Sequence, residues 1–413
     1  MSASPPSIHA LNVSEDDRKG LSGCRVLVTG ASGSLGRRLV PWLAERNAYV
    51  IATARDRAAI VDMAGAQEIC ADREISDRLG RRDIDAVVDL IVMNSNATAL
   101  FDEFHAVNVE RVQALVGQAE SAAVGRVVLI TSFHSADPDN DTGYAASKRA
   151  LEKWVAETAP QPVRLVVLPK IAPDANGARR RIWQCLAAVK PAAFFEAAAA
   201  AIERAILSAA TPDEPIWVSS IGHDRAYRLV SRAIDIGFAI AIFVGLGWAM
   251  ILLAVAIRLE GTGPALFRQR RVGRHERPFT LYKFRTMAVG TNEGATHEIG
   301  AAAVSRVGHF LRRTKLDELP QAWNILRGDL ALVGPRPCLF VQDELIARRR
   351  AAGIFSLTPG LTGLAQVNGI DMSDPAELVR WEVLYCRIRG LLLDVRIVLQ
   401  TFLGRGGGDR VAT

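Results

Sequence analysis

Paired cysteines are missing from this chain. Its 413 residues include five cysteines, Cys24, Cys70, Cys185, Cys338 and Cys386, scattered with neither CxxC nor zinc-ligand spacing. That excludes a disulfide scaffold and a zinc module, and fits a reduced, cytosolic compartment. An apolar core is missing from the first twenty residues, which are polar and contain Pro5-Pro6. Residues 1–22 therefore read as a disordered tail and not as a signal peptide. No internal repeat or long low-complexity tract occurs, although Ala197–Ala201 is an alanine run inside an expected helix. The formal net charge is +6 with pI near 9.2. No helix-turn-helix or RNA-binding signature accompanies the cations, so phosphate ligands and anionic lipid are the expected partners and nucleic acid is not.

Charge is also missing from one long stretch. From Ile236 to Ile257 the chain reads IGFAIAIFVGLGWAMILLAVAI. Arg225, Arg228, Arg232 and Asp235 precede it, and Arg258 and Glu260 follow. As a helix it is long enough to reach ~30 Å through hydrocarbon. The chain thus divides near residue 222: a soluble domain over 23–222, a membrane-bound one over 223–405 (membrane helix 236–257), and a tail over 406–413.

The remaining features are dense. Arg25-Val26-Leu27-Val28-Thr29 reads as a buried strand running into Gly30-Ala31-Ser32-Gly33-Ser34-Leu35-Gly36, then a helix over Arg37–Arg46 and a second strand over Ala48–Ala54. Such glycines let backbone amides approach a pyrophosphate at a helix N-terminus. Gly30, Ser32, Gly33, Leu35 and Gly36 are the candidate cofactor loop, joined by Arg55 and Asp72 further along. An acid after the second strand would suit a free ribose hydroxyl; Arg55 there can pair with a 2′-phosphate, which favours NADP over NAD. Further strands are expected near Ala86–Ile91 and Arg126–Thr131, the latter ending at Ser132. Tyr144-Ala145-Ala146-Ser147-Lys148 then opens a helix to about Thr158. Tyr144 and Lys148 share a helix face, and a lysine cation near a phenol lowers its pKa, which suits proton transfer to a sugar oxygen that Ser132 can also hydrogen-bond.

Over roughly residues 23–220 these features resemble the short-chain dehydrogenase/reductase superfamily, most nearly its extended branch acting on nucleotide sugars. The resemblance implies a Rossmann-type, doubly wound parallel sheet, an NADP(H) or NAD(H) cofactor, and a Ser132–Tyr144–Lys148 catalytic set. The chain departs from that branch between Pro169 and residue 220, where little sequence is left for a sugar-binding lobe.

The second half centres on Thr314-Lys315-Leu316-Asp317-Glu318-Leu319-Pro320-Gln321, two adjacent acids just after Leu311-Arg312-Arg313. Around it stand the motifs Lys283-Phe284-Arg285-Thr286-Met287, Gly334-Pro335-Arg336-Pro337 and Thr358-Pro359-Gly360-Leu361-Thr362-Gly363. Arginines fit phosphate oxygens bidentately. Carboxylates beside them stay ionised and can hold Mg²⁺ or attack phosphorus. A plain helix-start acid pair is the alternative that spacing alone leaves open.

Taken together, residues 225–403 closely resemble the bacterial sugar transferases, the monotopic polyprenyl-phosphate phosphoglycosyl transferases. The resemblance implies transfer of a sugar-1-phosphate from a UDP-sugar to a polyprenyl (undecaprenyl) phosphate with release of UMP. It puts the nucleophile on Asp317, Mg²⁺ binding on Glu318 with Asp317, and phosphate contacts on Arg312, Arg336, Lys283 and Arg285. It also implies a mainly α monotopic domain on the cytoplasmic face of a bacterial inner membrane, in contact with lipid and compatible with a homodimer. Members often break the membrane helix at a proline; here Trp248, within Gly245-Leu246-Gly247-Trp248, stands in that place. A re-entrant helix remains the expectation, with the glycines permitting the kink. Residues 380–403 are expected to form an interfacial helix with arginines at headgroups. The two halves together imply a fusion of consecutive steps: redox finishing of a UDP-sugar by NADPH reduction of a 4-keto-6-deoxy sugar, then loading of its sugar-phosphate onto the lipid. C4 epimerisation, or a regulatory nucleotide-binding module, is the alternative for the first half.

Overall fold

The computed structural model describes residues 20–158, 162–208, 214–218, 225–287 and 304–405. These form two compact units, the first made of residues up to Val218 apart from Ala188–Lys190, which group with the second, and the second made otherwise of residues from Arg225 on. Most of the expected N-terminal tail (residues 1–19), the expected C-terminal tail (406–413) and the boundary near 222 lie outside the described residues.

In the first unit the elements run β1 (Arg25–Thr29), α1 (Gly36–Ala44), β2 (Tyr49–Ala54), β3 (Glu68–Ala71), α2 (Ile75–Gly80), β4 (Ala86–Asp89), α3 (Phe101–His105), α4 (Arg111–Ser121), β5 (Arg126–Ser132), α5 (Phe133–Ala136), α6 (Gly143–Thr158), β6 (Val163–Leu168), β7 (Lys170–Ile171), α7 (Gly177–Val189), β8 (Ala192–Ala193), α8 (Phe195–Leu207) and β9 (Ile216–Trp217). A seven-stranded sheet of order β3-β2-β1-β4-β5-β6-β9 has every neighbouring pair parallel. The strands are near-continuous runs of Val, Ile, Leu and Ala because both faces are covered. Alternation decides which face each residue serves: Val26 and Val28 pack with α1 and α8 residues such as Leu39 and Ile202, whereas Leu27 packs with Leu115, Val116 and Leu151. Leu21, expected in the tail, is fully buried in the first of these cores, so the folded unit begins before residue 23. The strand order reverses at β1 and β4, and ligands of such sheets bind at the carboxyl ends beside that switch point.

The second unit opens with α9 (Ala226–Glu260), followed by β10 (Leu266–Val272), β11 (Pro278–Phe284), α10 (Arg306–Thr314), α11 (Gln321–Arg327), β12 (Ala331–Val333), α12 (Asp343–Ala351), β13 (Gly360–Thr362), α13 (Leu364–Val367), α14 (Pro375–Ile388) and α15 (Leu391–Phe402). At 35 residues α9 is longer than the charge-free stretch and extends about 52 Å along its axis. Its backbone stays helical through Gly245–Trp248, where the Trp248 indole N–H donates to the Gly245 carbonyl at 3.0 Å. Both of its ends are held by the same unit. Near the start Arg232 donates to the Ile325 and Leu326 carbonyls (2.6 and 2.8 Å) and Asp235 accepts from the Leu332 N–H (2.9 Å). At the far end Glu260 accepts from Ser305 Oγ (2.7 Å) and the Val307 N–H (3.0 Å). The opposite face, including Leu229, Val244, Trp248, Ile251, Val255 and Leu259, is apolar and exposed.

Residues 380–403 are not one interfacial helix. Arg389 and Gly390 leave helical geometry and divide the segment into α14 and α15. Helix α14 buries Leu378, Val379, Glu382 and Val383, with Glu382 in a buried bidentate pair to Arg349 of α12 (2.9 and 2.5 Å). Only α15 presents an apolar exposed row, Leu392, Val395, Leu399 and Phe402.

Candidate functional sites

The glycine loop of the first unit is shaped by close approach. A Cβ on Gly36 would lie 2.6 Å from Ala31 backbone atoms, so only glycine lets α1 start this close to β1. Gly30 has φ of +62°. The resulting side-chain-free cradle, at the carboxyl end of β1 and the start of α1, fits a pyrophosphate. Ser32 and Leu35 belong to it: the Ser32 carbonyl accepts from Arg37 Nε at 2.9 Å, and Leu35 is the N-cap of α1. Arg55 is exposed at the end of β2, and Asp72, just past β3, accepts from Thr53 Oγ1 at 2.6 Å. Arg37 also reaches the turn after Arg55, donating to the Ala59 carbonyl at 3.2 Å. The sequence reading missed this second arginine, although it directly follows the last loop glycine.

Ser132 and Tyr144 lie close to each other, whereas Lys148 makes its hydrogen bond elsewhere. Ser132 Oγ sits 3.0 Å from His134 Nδ1, and the His134 ring packs edge-on against Tyr144 with ring centroids 5.7 Å apart. The expected lowering of the tyrosine by its lysine is not what the structure gives: burial pushes Tyr144 up, and the nearby Ser132 hydroxyl pulls it back only in part. Lys148 instead donates to the Ile130 carbonyl at 2.9 Å, and its own burial lowers it to about 8 against the pull of Asp89 and Glu152. Glu152 was overlooked, yet it repeats the i+4 spacing of Tyr144 and Lys148. Its buried carboxyl accepts from Ser135 Oγ at 2.6 Å and from Thr131 Oγ1. Asn108 had no sequence signal. It sits fully buried in a π-turn (Ala106–Glu110), bonded to Ser147 Oγ at 3.0 Å and to Met93 backbone groups, and such turns are frequent at functional sites.

In the second unit the acid pair is not at the start of a helix. Lys315 ends α10 in a left-handed conformation (φ +58°), and Leu316–Glu318 form a single 3₁₀ turn before Pro320 leads into α11. Lys283 of β11 donates to Glu318 Oε1 at 2.8 Å. Its register is fixed by buried Asn324, which accepts from the Tyr282 N–H (3.1 Å) and donates to the Thr280 carbonyl (2.7 Å). Burial works against the Glu318 charge, but Lys283 and Arg336 outweigh it and hold the carboxyl below its usual range. Asp317 goes the other way: burial pushes it up to about 6, with Lys283 pulling down and Glu318 pushing up. Arg312 donates to Thr286 Oγ1 at 3.0 Å. Arg285 lines the same cavity, yet its guanidinium is spent on the Ile257, Gly261 and Thr262 carbonyls at the end of α9 (2.7–3.1 Å), a capping task rather than a free phosphate contact. Arg336 is presented by a loop whose glycines allow backbone-to-backbone packing; a Cβ on Gly360 would lie 2.1 Å from the Gly334 nitrogen.

Asp317, Glu318, Lys283, Arg312 and Arg336 line one cavity of about 1500 Å³. The same cavity is lined by apolar side chains, among them Phe238, Ile242 and Leu246 from α9 and Val398 and Phe402 from α15. Among the described residues no set of three His, Cys, Asp or Glu side chains is placed to hold a metal. Two adjacent carboxyls, one firmly ionised, fit a Mg²⁺ that takes its other ligands from substrate phosphate and water.

Comparison with known proteins agrees with this division. Residues 226–405 match the bacterial sugar transferase model, and residues 26–169 match the NAD dependent epimerase/dehydratase family. A UDP-glucose:undecaprenyl-phosphate glucose-1-phosphate transferase of Caulobacter vibrioides is 40% identical over 185 residues, covering 43% of this chain and 69% of that protein. The chain belongs to the bacterial sugar transferase family. A second family relative, the UDP-N-acetylgalactosamine-undecaprenyl-phosphate N-acetylgalactosaminephosphotransferase of Aeromonas hydrophila, is 34% identical over 42% of this chain and 43% of its own length. Among solved structures, the Bordetella bronchiseptica enzyme WbmH in complex with NAD+ is similar at 18% identity, over 53% of this chain and 82% of that one, with a TM-score of 0.39. This bacterial sugar transferase therefore carries an epimerase/dehydratase-type domain ahead of its transferase domain.

Proposed function

We propose that the second unit transfers a sugar-1-phosphate from a UDP-sugar to undecaprenyl phosphate at the cytoplasmic face of the bacterial inner membrane. The observation that carries this reading is the cavity itself, lined both by acids and cations and by apolar side chains of α9 and α15. A polyprenyl phosphate needs both kinds of lining, the apolar for its tail and the charged for its head. Asp317 attacks the sugar-bearing phosphorus, the bond to the UMP oxygen breaks, and UMP leaves. The polyprenyl phosphate oxygen then attacks the same phosphorus and Asp317 departs. Glu318, with Asp317, would hold Mg²⁺, which neutralises the diphosphate charge. Arg312, Arg336 and Lys283 bind phosphate oxygens. The polar contacts at both ends of α9 come from one unit, which supports a monotopic seat with entry and exit on the same side; cysteine accessibility placing residues 225 and 260 on opposite faces would contradict it.

The first unit, on this reading, completes the sugar beforehand. Bound NADPH would supply a hydride to the C4 carbonyl of a UDP-4-keto-6-deoxy sugar. Tyr144 gives the carbonyl oxygen its proton, Ser132 hydrogen-bonds that oxygen, and Lys148 supports the cofactor side. Arg55 and Arg37 together favour a 2′-phosphate. A second reading, C4 epimerisation with retained cofactor, is favoured by the family to which residues 26–169 match. Mixing protein, NADPH and a UDP-4-keto-6-deoxy-N-acetylhexosamine without polyprenyl phosphate separates the two. Tyr144-dependent loss of the reduced-nicotinamide absorbance supports the reductase. Unchanged absorbance there, with inversion at C4 seen by NMR when a 4-hydroxy UDP-N-acetylhexosamine and the oxidised cofactor are supplied instead, supports the epimerase.

A further inference from the structure

Helix α7 of the first unit carries an apolar stripe on its solvent side. Ile182, Leu186 and Val189 are 57%, 48% and 37% exposed, and their i, i+4, i+7 spacing puts them on one face. Cys185, on the same face, is also exposed. Elsewhere among the described residues of this unit the exposed large apolar side chains are Val61, Val92, Leu100 and Phe101, which form no such row. The stripe has charged edges of one sign. Arg179 and Arg181 are exposed on opposite flanks, and Gly177–Val189 contains three arginines and no acid. Arg180 is otherwise engaged, lying over Phe194 and reaching Glu196 at 4.0 Å.

A helix with an exposed apolar row between arginines, and no acid, matches an anionic bilayer surface: apolar side chains enter the headgroup boundary and the guanidinium groups snorkel to phosphates. The same chain supplies the reason a bilayer is at hand, because α9 begins at Ala226. We propose that α7 is a second membrane contact, docking the epimerase/dehydratase-type unit onto anionic lipid headgroups. This goes beyond the transferase reading and does not depend on which redox reaction the first unit performs.

The full-length protein in nanodiscs provides the test. Hydrogen–deuterium exchange of peptides covering residues 177–189 is compared in phosphatidylcholine discs and in discs containing phosphatidylglycerol. Exchange is expected to slow by about tenfold or more in the anionic discs, and to recover at high salt or in the Arg179→Glu/Arg181→Glu variant. Equal exchange in the two lipids overturns the proposal. Protection that follows added UDP-sugar instead of lipid also overturns it, making α7 a substrate cover. If the charge-reversed variant misfolds, iodide quenching decides on protein labelled at Cys185 with the other four cysteines changed to alanine. The label is expected to be shielded in anionic discs only; equal quenching in both again overturns the docking.

Discussion

Each candidate site holds an ionisable group against its charge, Lys148 in one and Asp317 in the other, and these two have opposite sign. In the first, burial lowers Lys148 to about 8 against the pull of Asp89 and Glu152, and its ammonium donates to a backbone carbonyl at 2.9 Å and not to a carboxylate. In the second, burial lifts Asp317 to about 6, while the neighbouring Glu318 is kept ionised by a lysine at 2.8 Å. The difference teaches what partners do in a low-dielectric site. A direct counter-charge fixes a protonation state; burial without one leaves the group poised to change it. On the proposed reading, the first unit is built around a proton to be moved, and the second around anions to be gathered.

The sharpest way to break the comparison is at Asp317. Asp317→Asn is expected to cut UMP release by on the order of 10³-fold or more while leaving the nicotinamide-dependent reaction untouched. Undiminished UMP release would remove the nucleophile assignment. The mirror experiment is Tyr144→Phe, expected to lower redox or epimerase turnover by roughly 10²–10⁴-fold and to leave transfer of a finished sugar intact. A loss of transfer in that variant would mean the two sites are not chemically separate.

Lys283→Met should cost transfer about ten- to a hundredfold, since it strips Glu318 of its direct partner. It should also move the acid limb of the transfer pH profile upward, because Lys283 pulls the Asp317 carboxyl down. An unmoved acid limb would show that Asp317 does not set it. Stability gives a smaller, signed effect. Asp317 is lifted from 3.8 to about 6 in the folded chain, so the stabilisation tied to its proton is complete below pH 3.8 and lost as pH rises through 6. Asp317→Asn should therefore raise the melting temperature by about 2–4 °C at pH 8 and by little at pH 4. Lys148, lowered from 10.5 to about 8, runs the opposite way: its cost is complete below pH 8 and relieved as pH rises toward 10.5. Arg55→Asp should have the mildest effect, shifting preference from NADPH toward NADH by about tenfold in paired titrations; an unchanged ratio would leave the 2′-phosphate role to Arg37.

Much of this was readable from the chain because the signals are local. The Gly30–Gly36 loop between a buried strand and a helix, and the i+4 pair Tyr144–Lys148, follow from short-range geometry. The motifs around Asp317 are ordered in sequence as they are gathered in space. What was not readable depends on packing over distance. Lys148 finds the Ile130 carbonyl only once β5 and α6 are docked. Arg285 caps α9 because the chain returns beneath that helix after β10 and β11. Asn108 and Asn324 act through backbone groups that no spacing announces. The break at Arg389–Gly390 was hidden by an apolar, basic pattern that runs smoothly across it.

The most direct test of the central claim is intact-protein mass spectrometry after incubation with a UDP-sugar and Mg²⁺, without polyprenyl phosphate. The account predicts a mass gain of one sugar-phosphate, mapped to Asp317, absent in Asp317→Asn and discharged when polyprenyl phosphate is added. Turnover to lipid-linked product with no covalent adduct at any time point would contradict it.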